Sequence, residues 1–375
     1  YGGNVLRKAI DYFCHMAVNP EFYRQLIEVD KDFIKSEFFN KMIWLKNEKD
    51  DLYDPSYTDM LRVAFTYQFK RGKLADLVAL LSGRNFETRA YEDSIAEQSF
   101  SLLRNGVINF MNETNFKRFV MILRSAGFVD SSLVRSQNAI NFSYVLYLTL
   151  RSQNVHSAIT ESLVRKWFVL SILTSRYSSS PESQFDYDIR QIYEQGAETY
   201  VQNTINAQLS NTYWEIGLPQ QMNSSLASSP TFNVFLAAQV KMQDKGFLSK
   251  DITVHDLIVH KGDVHHLFPR EYLKKSGLNR GMYNQIANYV IAQSEINIAI
   301  GSKSPQQYFG EIFDQIHSGN LKHGGITSMD ALKANLEMNC VPTDIFYMNA
   351  QDYNNFLEKR RYLMAQKIRN YFTSL

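Results

Sequence analysis

Apolar side chains recur at helical spacing through nearly the whole first half of the chain. Leu61, Val63, Ala64, Tyr67 and Phe69 mark one helix, and Leu74, Leu77, Val78, Leu80 and Leu81 mark a second. Arg71-Gly72 splits the two, Gly83 closes the second as a C-cap, and Lys70, Arg71 and Lys73 read as a solvated bend. Residues 97–111 carry a further apolar stripe, Asn112-Glu113-Thr114 offers a cap before a helix over 116–126, and the period continues through 142–151 and 159–175. No fixed-period repeat accompanies the pattern.

Past residue 175 the signal breaks up. Tyr177 to Gln184 is Ser-rich and holds Pro181, a loop by composition, and a short helix is expected near 186–204. Residues 209–230, rich in Ser, Asn and Pro, read as a long connection before a helix at 231–243. The stretch 251–310 differs. Leu257-Ile258-Val259-His260 is a β-type run, Lys261-Gly262-Asp263 a turn, and Val264 to Phe268 a second β-type run. Pro269 suits the first position of a helix reaching Lys275, Gly277 ends it, and another helix starts near Ser294 and contains Asn297. A long amphipathic helix closes the chain from about Tyr353 to Phe372. Its apolar face is Phe356, Leu357, Leu363, Met364, Ile368, Tyr371 and Phe372, and its other face is Lys359, Arg360, Arg361, Lys367 and Arg369. The expected fold is therefore mainly α: a helical domain over 1–175, and a mostly helical domain over 176–375 with a strand-containing centre at about 255–310.

Composition narrows this picture. A chain of 375 residues, 45% hydrophobic and with 25 Phe and 22 Tyr, builds real cores and exceeds one ordinary domain. A net charge of +2 gives no global basic field, so a nucleic-acid surface has to be a local patch. Cys14 and Cys340 form no CxxC pair, which excludes a zinc ribbon and suits a reducing cytoplasm. No apolar run reaches the roughly 18 residues of a membrane span, and no signal peptide is visible. The opening Tyr1-Gly2-Gly3 suggests a chain lacking an N-terminal part of the native protein.

The candidate chemistry lies at Asp263-Val264-His265-His266-Leu267-Phe268-Pro269. Neighbouring residues on a regular strand face opposite ways, so a division of labour between the histidines is the natural expectation: one binds a metal, the other acts on water. Phosphodiester hydrolysis needs such a base and a cation, and histidine titrates near the working pH. Asn297 supplies a neutral oxygen ligand suited to Mg²⁺, while an imidazole ligand would shift preference toward Mn²⁺ or another transition metal.

His265-His266-Leu267-Phe268-Pro269 resembles the first half of the HNH, or ββα-metal, nuclease signature, and Asn288 with Asn297 nine residues on resembles its second half. The resemblance implies His266 as general base, His265 and Asn297 as metal ligands, Asn288 as the residue that pins the loop, and Lys303 as a cation near the phosphate. Asn284-Gln285-Ile286-Ala287-Asn288, Ser294-Glu295-Ile296-Asn297, Gly301-Ser302-Lys303-Ser304-Pro305, Tyr308 and Phe356 to Arg361 extend it. Together they are similar to the C-terminal nuclease domain of the GmrSD-type (type IV) restriction family, and Phe69 to Leu74 is similar to its helical middle. That family implies DNA as substrate, with phage DNA carrying modified bases as a target, and an N-terminal NTPase-like domain as partner. The latter's Asp-Gly-Gln-Gln-Arg run is absent here, as is any P-loop. His265 stands where the usual ligand is an acid, a substitution common in the family, and Asp263 on the same strand face is its rival.

Alternatives stay open for several residues. Lys303 is either a phosphate contact or a solvated lysine, and Arg360 and Arg361 are either DNA contacts or a wet helix face. His255 and His260 read as packing or surface residues near the site; His15, His156, His317 and His323 have no arguable partners. The competing function is a non-catalytic DNA- or protein-binding regulatory module of a larger NTPase-nuclease.

Overall fold

The computed structural model describes residues 22–47 and 52–375, so Cys14 and His15 lie outside the described residues. The described chain is mainly helical, and it divides into two compact units: one holds the residues up to Leu123 with Ser136–Thr204, the other Arg124–Arg135 with Ile205–Leu375. No helix among the described residues is long and apolar enough to cross a membrane.

In the first unit the expected helices form, at Tyr57–Phe69, Leu74–Leu81, Asp93–Phe110, Glu113–Ser125, Gln137–Ser152 and Ser157–Leu173. Helix Gln137–Ser152 is buried from Ala139 to Leu150, so it runs through the core instead of lying on it. Aromatic rings build that core: Tyr53 stacks on Phe116 at 5.4 Å and Phe119 on Tyr144 at 4.6 Å. The unit extends to Thr204, past the expected boundary at 175. The cause is a buried ion-pair network. Arg176 holds Asp188 through two guanidinium nitrogens, and the Tyr177 and Tyr200 hydroxyls donate to the same carboxylate, so the helices Pro181–Gln195 and Ala197–Gln208 join this core. Pro181 begins the first of these helices; it does not interrupt a loop.

In the second unit a π-helical turn, Tyr213–Gly217, and a short helix, Leu218–Gln221, occupy part of the expected long connection, followed by the helix Pro230–Lys241. The run at 257–260 is not a strand. It belongs to the helix Val254–Val259, because Thr253 and Asp256 form a reciprocal capping box and Val254 and Leu257 bury one face. Strand β1 is Asp263–His266, and its partner is the later strand β2, Tyr289–Ala292. The pair is antiparallel, with Asp263 opposite Ala292, His265 opposite Val290 and His266 opposite Tyr289. The helix Arg270–Lys275 follows β1 with Pro269 as its N-cap, and β2 leads directly into the helix Ser294–Ile300.

The terminal helix Tyr353–Thr373 departs from its predicted faces at two positions. Leu363 is exposed, whereas Arg360 is fully buried.

The bend at Lys70 to Lys73 is packed in its middle. The buried Gly72 donates its N–H to the Asp186 carboxylate at 2.9 Å, and a Cβ there would lie 2.1 Å from the Asp186 amide nitrogen. Backbone cannot yield as a side chain does. Gly72→Ala is therefore expected to destabilise the first unit by about 2 kcal/mol or more, read as a lowered denaturation midpoint; an unchanged midpoint would refute this packing.

Candidate functional site

The site begins with a clamp on the two residues that follow the histidine pair. Asn288, fully buried, accepts the Phe268 N–H at 2.8 Å and donates its amide to Phe268 O and Tyr283 O, both at 3.1 Å. The Leu267 N–H donates to Asn288 O at 2.9 Å, and the Tyr308 hydroxyl donates to Leu267 O at 2.9 Å. Phe268 itself packs against the rings of Tyr353 and Phe356. Every backbone group of this turn is thus held, and the end of β1 is fixed in direction.

Arg360 braces the same segment from the terminal helix. Its guanidinium donates to Ala287 O at 2.8 Å, Tyr289 O at 2.7 Å and Asn339 O at 3.1 Å. Two of those carbonyls flank Asn288. Burial lowers the Arg360 pKa to about 10. The expectation of a DNA contact at Arg360 is corrected: the side chain is at 0% exposure and its donors are spent on carbonyls. Arg361 is half-buried, and burial lowers its pKa too.

A cleft of about 300 Å³ opens at the end of β1, lined by His265, His266, Asn297, Arg270 and Glu271. Both histidines line it although they are neighbours on one strand. His265 is 4% exposed, and its buried Nε2 has no hydrogen-bond partner among the described residues. Burial, aided by the neighbouring His266, holds its pKa at about 4, with Asp263 opposing. The ring is neutral at physiological pH, so a lone pair is available. His266 is half-buried; its Nε2 lies 3.0 Å from the Asn284 Oδ1, and its ring meets Tyr289 edge-on at 5.0 Å. An amide oxygen only accepts, so Nε2 carries the hydrogen and the neutral ring keeps its lone pair on Nδ1. Burial lowers the His266 pKa, the Asn284 bond opposes this, and Arg270 adds to the lowering.

The remaining expected residues sit elsewhere. Asp263 is exposed and accepts from the Ser294 hydroxyl at 3.0 Å; it does not line the cleft. Lys303 is tied down, donating to Ala299 O and to the Glu311 carboxylate, both at 2.9 Å. His255 and His260 are exposed and also outside the cleft. His323 does have a partner: it is buried and bonds the Glu311 carboxylate. Burial pushes the Glu311 pKa up, but the bonds from Lys322, Lys303 and His323 outweigh it and hold the group at about 2. Arg270 and Glu271 escaped the sequence pattern, although Arg270 follows the Pro of the motif directly; Asn284 lay in the matched run but was given no role.

The donor set can be tested against a divalent cation. Among the described residues no group of three or more His, Cys, Asp or Glu side chains is placed to hold a metal. The cleft instead offers a buried neutral imidazole with a free nitrogen and the amide of Asn297. This is a minimal set, one nitrogen and one amide oxygen without a carboxylate, and its imidazole suits Mn²⁺ or another transition metal better than Mg²⁺.

No family model matches the chain, and no solved structure matches it. A protein of Methanocaldococcus jannaschii described as uncharacterized is 22% identical over 220 residues, covering 55% of this chain and 36% of its own length. The chain therefore spans about a third of that protein.

The depressed pKa of His265 has a thermodynamic consequence. Between pH 4 and about 6.5 the unfolded chain binds a proton that the folded chain refuses, so stability is complete above that window and falls as pH falls through it. With chelator present, the second unit should lose up to about 3 kcal/mol at this position between pH 7 and pH 4. Urea unfolding of wild type against His265→Phe checks it: the wild type alone should show this extra acid sensitivity, and parallel profiles would contradict it.

Proposed function

We propose that the chain is a divalent-metal-dependent DNA endonuclease of the HNH type, akin to the nuclease part of GmrSD-type restriction enzymes. One observation carries this: the adjacent His265 and His266, and Asn297 far downstream of them, line a single cleft beside a strand–strand–helix unit. The proposal includes the family's setting, namely action on foreign DNA in the cytoplasm with an NTPase-like domain as partner.

His265 and the Asn297 amide oxygen would hold Mg²⁺ or Mn²⁺, which supplies charge neutralisation at the phosphate. His266 takes a proton from water through Nδ1, the nitrogen left basic by the Asn284 bond. The water oxygen bonds to phosphorus as the bond to the leaving oxygen breaks, and the leaving oxygen takes a proton from solvent. His266 then returns its proton to solvent. Asn288 touches no substrate; it keeps the end of β1 aimed at the cleft.

Plasmid nicking with Mg²⁺ or Mn²⁺ tests the proposal. Wild type should nick, and His266→Ala should be slower by about 100-fold or more, with an unaltered melting profile. Equal nicking by both proteins, or no cutting of any DNA by wild type, would overturn it and favour the regulatory module.

A further inference from the structure

A nuclease cleft needs a cation that meets the substrate phosphate, and the residue expected for that task, Lys303, is engaged elsewhere. Its ammonium is divided between Ala299 O and Glu311, a carboxylate that also holds Lys322 and His323. Arg360 is buried, and Arg361 is half-buried without lining the cleft. We propose that Arg270 is the substrate-binding cation of this site, gripping a phosphate of the DNA strand that enters the cleft. The inference rests on the nuclease proposal and adds to it the group that recognises the substrate.

Three observations place Arg270 in this role. First, it is the permanently charged cation among the residues lining the cleft. Second, its backbone is fixed relative to the histidines. Asn288 holds both backbone groups of Phe268, and Pro269, with φ of −56°, ends the turn as N-cap of the helix that Arg270 opens. Third, its head is free to move. The side chain is 61% exposed, and its recorded partner is the neighbouring Glu271 at 3.3 Å, itself 49% exposed. An exposed pair of this kind is weak, and a phosphate can displace it. The planar guanidinium offers two parallel donors to phosphate oxygens, a geometry that lysine lacks.

The test is binding of a fluorescent 20-base-pair duplex DNA across a salt series in EDTA, so that affinity is read without cleavage. Arg270→Ala is expected to bind about 10-fold more weakly and to lower the slope of log affinity against log salt by about one unit. Arg270→Lys should restore the slope while recovering only part of the affinity, because charge returns without the fork. Lys322→Ala, a charge loss of the same size outside the cleft, should change neither. Melting curves of all variants should superimpose on wild type. If wild type binds DNA and Arg270→Ala keeps its affinity and slope, this assignment fails while the nuclease proposal stands. If wild type shows neither DNA binding nor cutting, the nuclease proposal fails and takes this one with it.

Discussion

The carboxamide of Asn288 is the interaction on which the site depends. It makes three hydrogen bonds to backbone: two to Phe268, which follows the histidine pair, and one to Tyr283. Each bond contributes about 1 kcal/mol net, but the geometric effect is larger than the energetic one. Phe268 and Asn288 are 20 residues apart, and the clamp makes the end of β1 and the start of β2 one rigid piece. His266, Arg270 and the Asn297 helix all take their positions from that piece. Arg360 reinforces it by holding the carbonyls on either side of Asn288.

Electrostatics around the cleft follow from unequal burial. A buried cation with carbonyl partners, Arg360, serves structure, and a cation at the surface with one weak partner, Arg270, stays available to a ligand. Lys303 lies between these cases, half-exposed yet committed to Glu311. His265 shows what burying an imidazole costs. Its unpartnered Nε2 forfeits a hydrogen bond that an apolar side chain would not need, a penalty of about 1–3 kcal/mol.

Much of the fold was legible because burial sets periodicity. Leu61 to Phe69, Leu74 to Leu81 and the helix at 353–373 announce themselves through the 3.6-residue repeat. The failures have identifiable causes. Leu257 to Val259 has the composition of a strand, and the Thr253–Asp256 cap overrides it. The true partner of β1 lies 23 residues past His266, and pairing at that range leaves no mark in a local pattern. At the site, His265, His266, Asn288 and Asn297 were recognisable by type and spacing. Arg270 and Glu271 were not, since adjacent opposite charges at a helix start look like any wet surface. Arg360 was assigned to the wrong face because a charged residue is rarely fully buried, and only the carbonyls of Ala287, Tyr289 and Asn339 make that burial tolerable.

The central claim is that His265 and Asn297 bring a divalent cation to the base His266. Crystals grown with Mn²⁺, measured at the manganese absorption edge, test it most directly. An anomalous peak bonded to His265 Nε2 and the Asn297 amide oxygen, inside the cleft that Arg270 lines, is the expected result. A map with no peak in the cleft at saturating Mn²⁺, or with Mn²⁺ bound only at Asp263 or another surface carboxylate, would contradict it.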